Sequence, residues 1–139
     1  MKIVFLCPTG TFSSLTAAHL YLGNISRNTT VKEILELPYY GEFTAKTGLF
    51  FYIGKDKGEN LIYTLGISNE PNIIMKSAYD LLTIKGIPRE HLVFCDVSKY
   101  VPYYLVFLNR YFPNLTKKII AKILKKNFNS IQKEIEYIS

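Results

Sequence analysis

Three observations predict an α/β domain with a mixed sheet. Residues 2–7, KIVFLC, form a continuous apolar run followed at once by a turn and a helix-forming stretch. HLVFCDV at 91–97 repeats that run after a second helical stretch. Between them, LFFYIG and NLIYTLG bracket Lys55-Asp56-Lys57-Gly58 in the manner of a hairpin. Apolar runs alternating with helices mark strands covered on both faces. The expected architecture is therefore a single-domain mixed sheet with central parallel strands, an antiparallel hairpin and flanking helices. A chain of 139 residues suits one domain, and 48% hydrophobic with 20% charged residues excludes a disordered chain.

The elements follow in order. After the first strand, Pro-Thr-Gly-Thr makes a turn, and SSLTAAHLYLG starts with two serines and ends on Gly23, as a short helix does. Thr30-Val-Lys-Glu33 matches a capping box ahead of VKEILEL, which Pro38 ends. PYYGEFTAKTG is aromatic and turn-rich, and residues 49–66 read as the hairpin. From Glu70 to Lys85, Ile73, Ile74, Ala78, Leu81 and Leu82 recur at helical spacing, with Gly86 and Pro88 as the stop. HLVFCDV then returns as a second buried, parallel strand. Leu115, Ile119, Ile123, Ile131, Ile135 and Ile138 trace one helical stripe through a basic C-terminal helical segment, 114–139.

Composition narrows the function classes. Cys7 and Cys95 are too few for a disulfide scaffold, and with His19 and His91 they form no zinc spacing, so neither metal nor cofactor is expected. Ile3–Cys7 is too short for a signal core, and no apolar run reaches about 18 residues. A cytoplasmic protein with free thiols is expected. The net charge of +6 is concentrated at the end. Arg110 to Ser139 carries seven Lys or Arg against Glu134 and Glu136, a net +5. That tail could meet nucleic acid or an anionic membrane, or be the solvated face of a helix packed on the core; the last reading is favoured and nucleic acid is not expected.

The segment Cys7-Pro8-Thr9-Gly10-Thr11-Phe12-Ser13-Ser14 joins the carboxyl end of a strand to the amino end of a helix, where open α/β sheets bind ligands. Unpaired backbone N–H groups point outward there, the helix dipole adds positive charge, and Gly10 lets a ligand approach the backbone. Thr9, Thr11, Ser13 and Ser14 add hydroxyls. A thiol in that field suits a nucleophile or phosphoryl acceptor, which makes Cys7 the first catalytic candidate. The ligand-binding candidates are Thr9, Gly10, Thr11, Phe12, Ser13 and Ser14. A tight structural turn with a buried thiol is the plain alternative. A Walker loop is excluded, since no Gly-Lys-Ser/Thr follows.

This loop resembles two known phosphate loops. It is similar to Cys-x5-Arg-Ser of the low-molecular-weight tyrosine phosphatases and, through Cys7, Gly10, Ser13 and Ser14, more closely to Cys-x-x-Gly-x-x-Ser/Thr-Ser of the sugar phosphotransferase IIB components. The second resemblance implies phosphate carried on cysteine. Ser13 stands where the phosphatases have arginine, and a hydroxyl cannot replace a bidentate guanidinium, so phosphatase activity is not expected. A wider resemblance runs through IVFLCPTGTFSSLTAAHLYLGNI, LELPYYGEF and FFYIGKDKGENLIYTLG. These are similar to an uncharacterised family of small proteins, a domain of unknown function from spore-forming Gram-positive bacteria, whose loop reads Cys-x-Gly-Gly-Thr-His-Ser-Ser. Here Thr9 replaces the first Gly and Phe12 the His. If that His is catalytic in relatives, this chain is inactive.

Other candidates have two readings each. Asp96, next to Cys95 at the end of the second apolar strand, is expected at the same sheet edge as Cys7, as a general acid or as the cap of a turn. Cys95 could pair with Cys7 in a redox switch or pack as a small hydrophobe. His19 lies more than a turn from the loop and is read as packed; His91 is read as solvated. Pro38-Tyr39-Tyr40-Gly41 resembles a phosphatase segment but carries Leu37 where an acid belongs, so coincidence is the favoured reading, with Tyr39 or Tyr40 as candidates for the pocket lining. The function expected is binding of a phosphate-containing small molecule or inorganic anion at the loop, with Cys7 as nucleophile and Asp96 as acid. The alternative is a non-enzymatic regulatory or partner-binding protein that uses the basic C-terminal helix.

Overall fold

The computed structural model describes residues 1–42, 50–68 and 71–138. Four strands, β1 (Lys2–Cys7), β2 (Phe50–Lys55), β3 (Leu61–Gly66) and β4 (Leu92–Asp96), form one sheet in the order β2-β3-β1-β4. β1 runs parallel to both neighbours, with Cys7 opposite Gly66 on β3 and Leu6 opposite Asp96 on β4. β2 is antiparallel to β3, with a register shift between Tyr52 and Gly54. The mixed sheet is thus as the sequence predicts, with one correction. The interior strands are β3 and β1, and β4 is an edge strand, half-buried rather than buried. The hairpin turn is held by Asp56, whose Oδ1 accepts from the amides of Gly58 and Asn60 at 2.8 and 2.9 Å. Tyr21 closes the same carboxylate with its hydroxyl at 2.9 Å.

Among the described residues, six α-helices pack on the sheet: α1 (Ser13–Tyr21), α2 (Val31–Leu35), α3 (Pro71–Ile84), α4 (Tyr103–Leu108), α5 (Pro113–Lys126) and α6 (Phe128–Glu136). Period-two alternation divides the strands between two faces. Ile3 and Phe5 on β1, Ile62 on β3, and Val93 and Cys95 on β4 face a large core completed by α1, α2, α4, α5 and α6. Val4 and Leu6, with Leu65, Tyr63, Leu92 and Phe94, face the other way, against Ile74 and Met75 of α3. No residue of α3 is buried; Ile73 and Leu81 of its predicted stripe lie exposed, while Ile74, Ala78 and Leu82 are half-buried.

The helix boundaries have local causes. α1 is apolar or small on every side and is buried from Ser13 to His19, as a helix without a polar face must be. Thr30 caps α2, accepting from the Glu33 amide at 3.2 Å while its hydroxyl donates to the Glu33 carboxylate, and α2 stops at Leu35. Pro113 opens α5, where a missing amide hydrogen costs nothing. The predicted C-terminal stripe needs correction in α5. Thr116, Ile120, Ala121 and Leu124 are buried, whereas Leu115 and Ile119 are exposed and Ile123 is half-buried. In α6, Ile131 and Ile135 are buried as expected. The segment PYYGEFTAKTG is described only to Glu42, and the rest of it, residues 43–49, lies outside the described residues, as do residues 69–70.

Candidate functional site

β1 ends by delivering Cys7 to the face that α1 covers. Beyond it the chain turns at Gly10, whose φ of +76° only glycine adopts without strain. The loop lies directly on the end of β3. A Cβ at Gly10 would sit 2.8 Å from the Gly66 nitrogen, and one at Gly66 would sit 2.8 Å from the Thr9 carbonyl oxygen. The two backbones approach so closely because neither residue has a side chain. Past the strand end, the amides of Ile67 and Ser68 donate to the carbonyls of Cys7 and Pro8 at 3.1 and 2.9 Å, fastening the loop to the chain that leaves β3.

Inside this turn the Cys7 sulfur is fully buried. It accepts from the Gly10 amide at 3.2 Å and lies 2.9 Å from the Ser14 hydroxyl. The threonines form their own relay. The Thr11 amide donates to Thr9 Oγ1 at 3.3 Å, and the Thr11 hydroxyl donates to the Glu42 carbonyl at 3.1 Å. With that proton committed, the 2.8 Å contact between the two hydroxyls must be donated by Thr9. Both hydroxyl protons are therefore engaged within the protein.

The amino end of α1 is different. Phe12 caps it without a side-chain hydrogen bond, and its carbonyl accepts both the amide and the hydroxyl of Thr16 at 3.0 Å. Among the described residues, the amides of Phe12, Ser13, Ser14 and Leu15 donate to no acceptor. These are the four that an α-helix leaves unpaired. Ser13 is fully buried, and its hydroxyl also has no partner among the described residues. Phe12 is a core residue, its ring edge-on to Tyr40 at 5.4 Å. It contributes its amide, not its ring, to this end of the helix.

The remaining candidates lie elsewhere. Asp96 pairs with Leu6, not Cys7, so the pleat turns its carboxylate to the opposite face of the sheet. There, exposed, it accepts from the amide and hydroxyl of Ser98 at 3.0 and 2.6 Å, as a turn cap does. Cys95 is on the Cys7 face, opposite Phe5, and both thiols are free. Burial, reinforced by the nearby carboxylates of Glu134 and Asp96, pushes the Cys95 thiol up to about 12. His19 is buried, with Nδ1 3.1 Å from the Asn24 side-chain amide, and His91 is exposed. Among the described residues, no three His, Cys, Asp or Glu side chains gather as a metal site, and no helix is long and apolar enough to cross a membrane.

Four further residues shape the loop, of which the sequence offered only Tyr40, as a candidate for the pocket lining. Gly66, opposite Cys7 on β3, supplies the close approach; a glycine at the end of a predicted strand was the only local signal, and the register was not readable from it. Gly41 donates to the Thr11 carbonyl at 3.1 Å, with φ at +67°. The Lys117 stem crosses Gly41 so tightly that a Cβ there would lie 2.7 Å from its Cε. Tyr40 donates to the Lys117 carbonyl at 2.9 Å, which ties α5 to this side of the loop. No local pattern announces a contact across that sequence separation.

Residues 2–138 match the profile of a family described as Protein of unknown function (DUF3189), and the chain belongs to that family. No curated protein and no solved structure matches the chain.

Proposed function

We propose that this family member binds a phosphate-containing small molecule, or an inorganic anion, on the amino end of α1, with Cys7 as the group that takes up phosphoryl. The reading rests on one observation above the rest: the four leading amides of α1 and the buried Ser13 hydroxyl have no acceptor among the described residues. A buried polar group without a partner costs about 1–3 kcal/mol, and an anion would satisfy several at once while gaining from the helix dipole. Thr9 and Thr11 serve this reading as scaffold rather than as ligands, because their protons are engaged. In the transfer step the Cys7 sulfur would bond to phosphorus as the ester oxygen departs with its electron pair and takes up the thiol proton, and Ser14, 2.9 Å away, would orient the sulfur. The loop has no arginine to speed hydrolysis of such a thiophosphate, which favours a carrier over a phosphatase.

The test is thermal melting with phosphate, sugar phosphates and nucleotides, alongside transfer of labelled phosphoryl groups. A ligand at about a hundred times its Kd should add about 2.7 kcal/mol and raise the melting temperature by several degrees. Ser13→Ala should weaken that shift, and Cys7→Ser should abolish labelling while keeping the shift. Absence of any shift across the three ligand classes would defeat anion binding. A shift without labelling would leave binding standing and defeat transfer.

A further inference from the structure

The C-terminal helices and the turn between them carry an apolar surface that no other described residues cover. Tyr104, Phe107, Tyr111, Phe112, Leu115 and Ile119 are between 37% and 64% exposed. Tyr104 and Phe107 lie on α4 and Tyr111 in the turn beyond it, the Phe107 and Tyr111 rings 5.7 Å apart, and α4 packs on α5, which carries Leu115 and Ile119. A surface of large side chains this size is rarely idle on a monomer. It is also held firmly, because α5 is anchored through its other side by Thr116, Ile120, Ala121 and Leu124.

Charge indicates what could cover it. From Val97 to Lys133 the chain has eight Lys or Arg and no Asp or Glu. On α5, Lys122 and Lys126 continue the line of Leu115 and Ile119, and Lys118 and Lys125 flank it; all four are exposed. None of the four is in an ion pair among the described residues. Aromatic rings and aliphatic side chains bordered by lysines suit a phase that is apolar within and negative at its rim. A second copy would bring like charge against like charge. A nucleic acid would satisfy the lysines and stack on the rings, yet leave Leu115 and Ile119 in water. We propose that this face docks on a lipid bilayer containing anionic headgroups, the aromatic and aliphatic side chains entering the interface and the lysines contacting the headgroups.

The full chain should cosediment with phosphatidylcholine vesicles that contain phosphatidylglycerol and remain in solution with phosphatidylcholine alone. Salt should weaken the binding. Phe107→Ser, Phe112→Ser and Leu115→Ser together should abolish it without lowering the melting temperature, since all three are more than half exposed. Replacing Lys118, Lys122, Lys125 and Lys126 with Gln should lower the partition coefficient by about 600-fold, each lysine being worth about five-fold near a charged membrane. Cys7→Ser should leave vesicle binding unchanged, so the docking surface and the loop fail or stand separately. Equal binding to both vesicle types, or to neither, would overturn the proposal. So would a dimer, or binding to a single-stranded oligonucleotide, that appears without any vesicle binding.

Discussion

The two faces of the sheet make a useful pair. Both are lined by apolar side chains from the same strands, Ile3 and Phe5 on one side of β1 and Val4 and Leu6 on the other. Over the first lie five helices, and side chains from four of them (Leu15, Ile34, Ile120, Leu124 and Ile131) are fully buried there. Over the second, among the described residues, lies α3 alone, with no buried residue and with Ile73, Leu81 and Ile84 in solvent. A shallow groove of about 600 Å³, lined by Val4, Phe50, Leu61, Tyr63, Leu82 and Ile87 among others, opens beside it. The candidate loop belongs to the thick face: Cys7 and Ser14 are held by the best-packed part of the molecule. Apolar composition alone does not measure stability; the number of layers that exclude water does.

The largest expected effects probe that contrast directly. Leu124→Ala or Ile120→Ala, on the thick face, should cost about 2–5 kcal/mol in a denaturant melt, whereas Ile74→Ala or Leu82→Ala should cost about 1 kcal/mol or less. Equal losses on the two faces would break the comparison. Amide exchange should agree, with α3 exchanging ahead of α1.

Next come two glycines with similar positive φ. Gly10→Ala meets the backbone of Gly66, so it should cost about 2 kcal/mol or more and loosen the Cys7 turn, seen as faster reaction of the thiol with an alkylating probe. Gly86→Ala, beyond α3, meets nothing within 4 Å and should cost only the roughly 1 kcal/mol of backbone strain. If the two cost the same, contact with Gly66 contributes nothing.

Tyr40→Phe should be milder. It removes the bond to the Lys117 carbonyl but keeps the ring against Phe12, so about 1 kcal/mol is expected in the same melt.

The smallest effect concerns pH. Burial holds His19 below its ordinary value of 6.5, so the unfolded chain takes up this proton at a higher pH than the native one. The contribution of His19 is complete above that ordinary value and is lost as pH falls through the native value. Melting temperature should therefore decline on acidification below about pH 6.5, and His19→Gln should flatten the decline.

Much of this was readable before any coordinates. The strand–loop–helix of residues 2–21, the capping box at Thr30, the hairpin and the helix that α3 became are local events, set by periodicity, caps and turn residues. So was the loop as a place, because Cys7, Gly10, Ser13 and Ser14 stand together in the chain. What was not readable involved choice between equals. Leu115-Ile119-Ile123 and Thr116-Ile120-Leu124 are adjacent stripes on one helix, and the first looks more apolar. α2, α4 and α6 take the second, where Ala121 also permits close packing.

The sequence by itself therefore determined the kind of each element, its approximate limits and the chemistry gathered after the first strand, since these depend on neighbours within a turn or two. Only the tertiary structure decided that β3 rather than β4 lies at the centre, that Asp96 faces away from Cys7, that Gly66 admits the loop, and that Leu115 stays outside. Each of those outcomes is a competition among distant segments for one limited core, settled by register and shape rather than by the hydrophobicity of any single stretch.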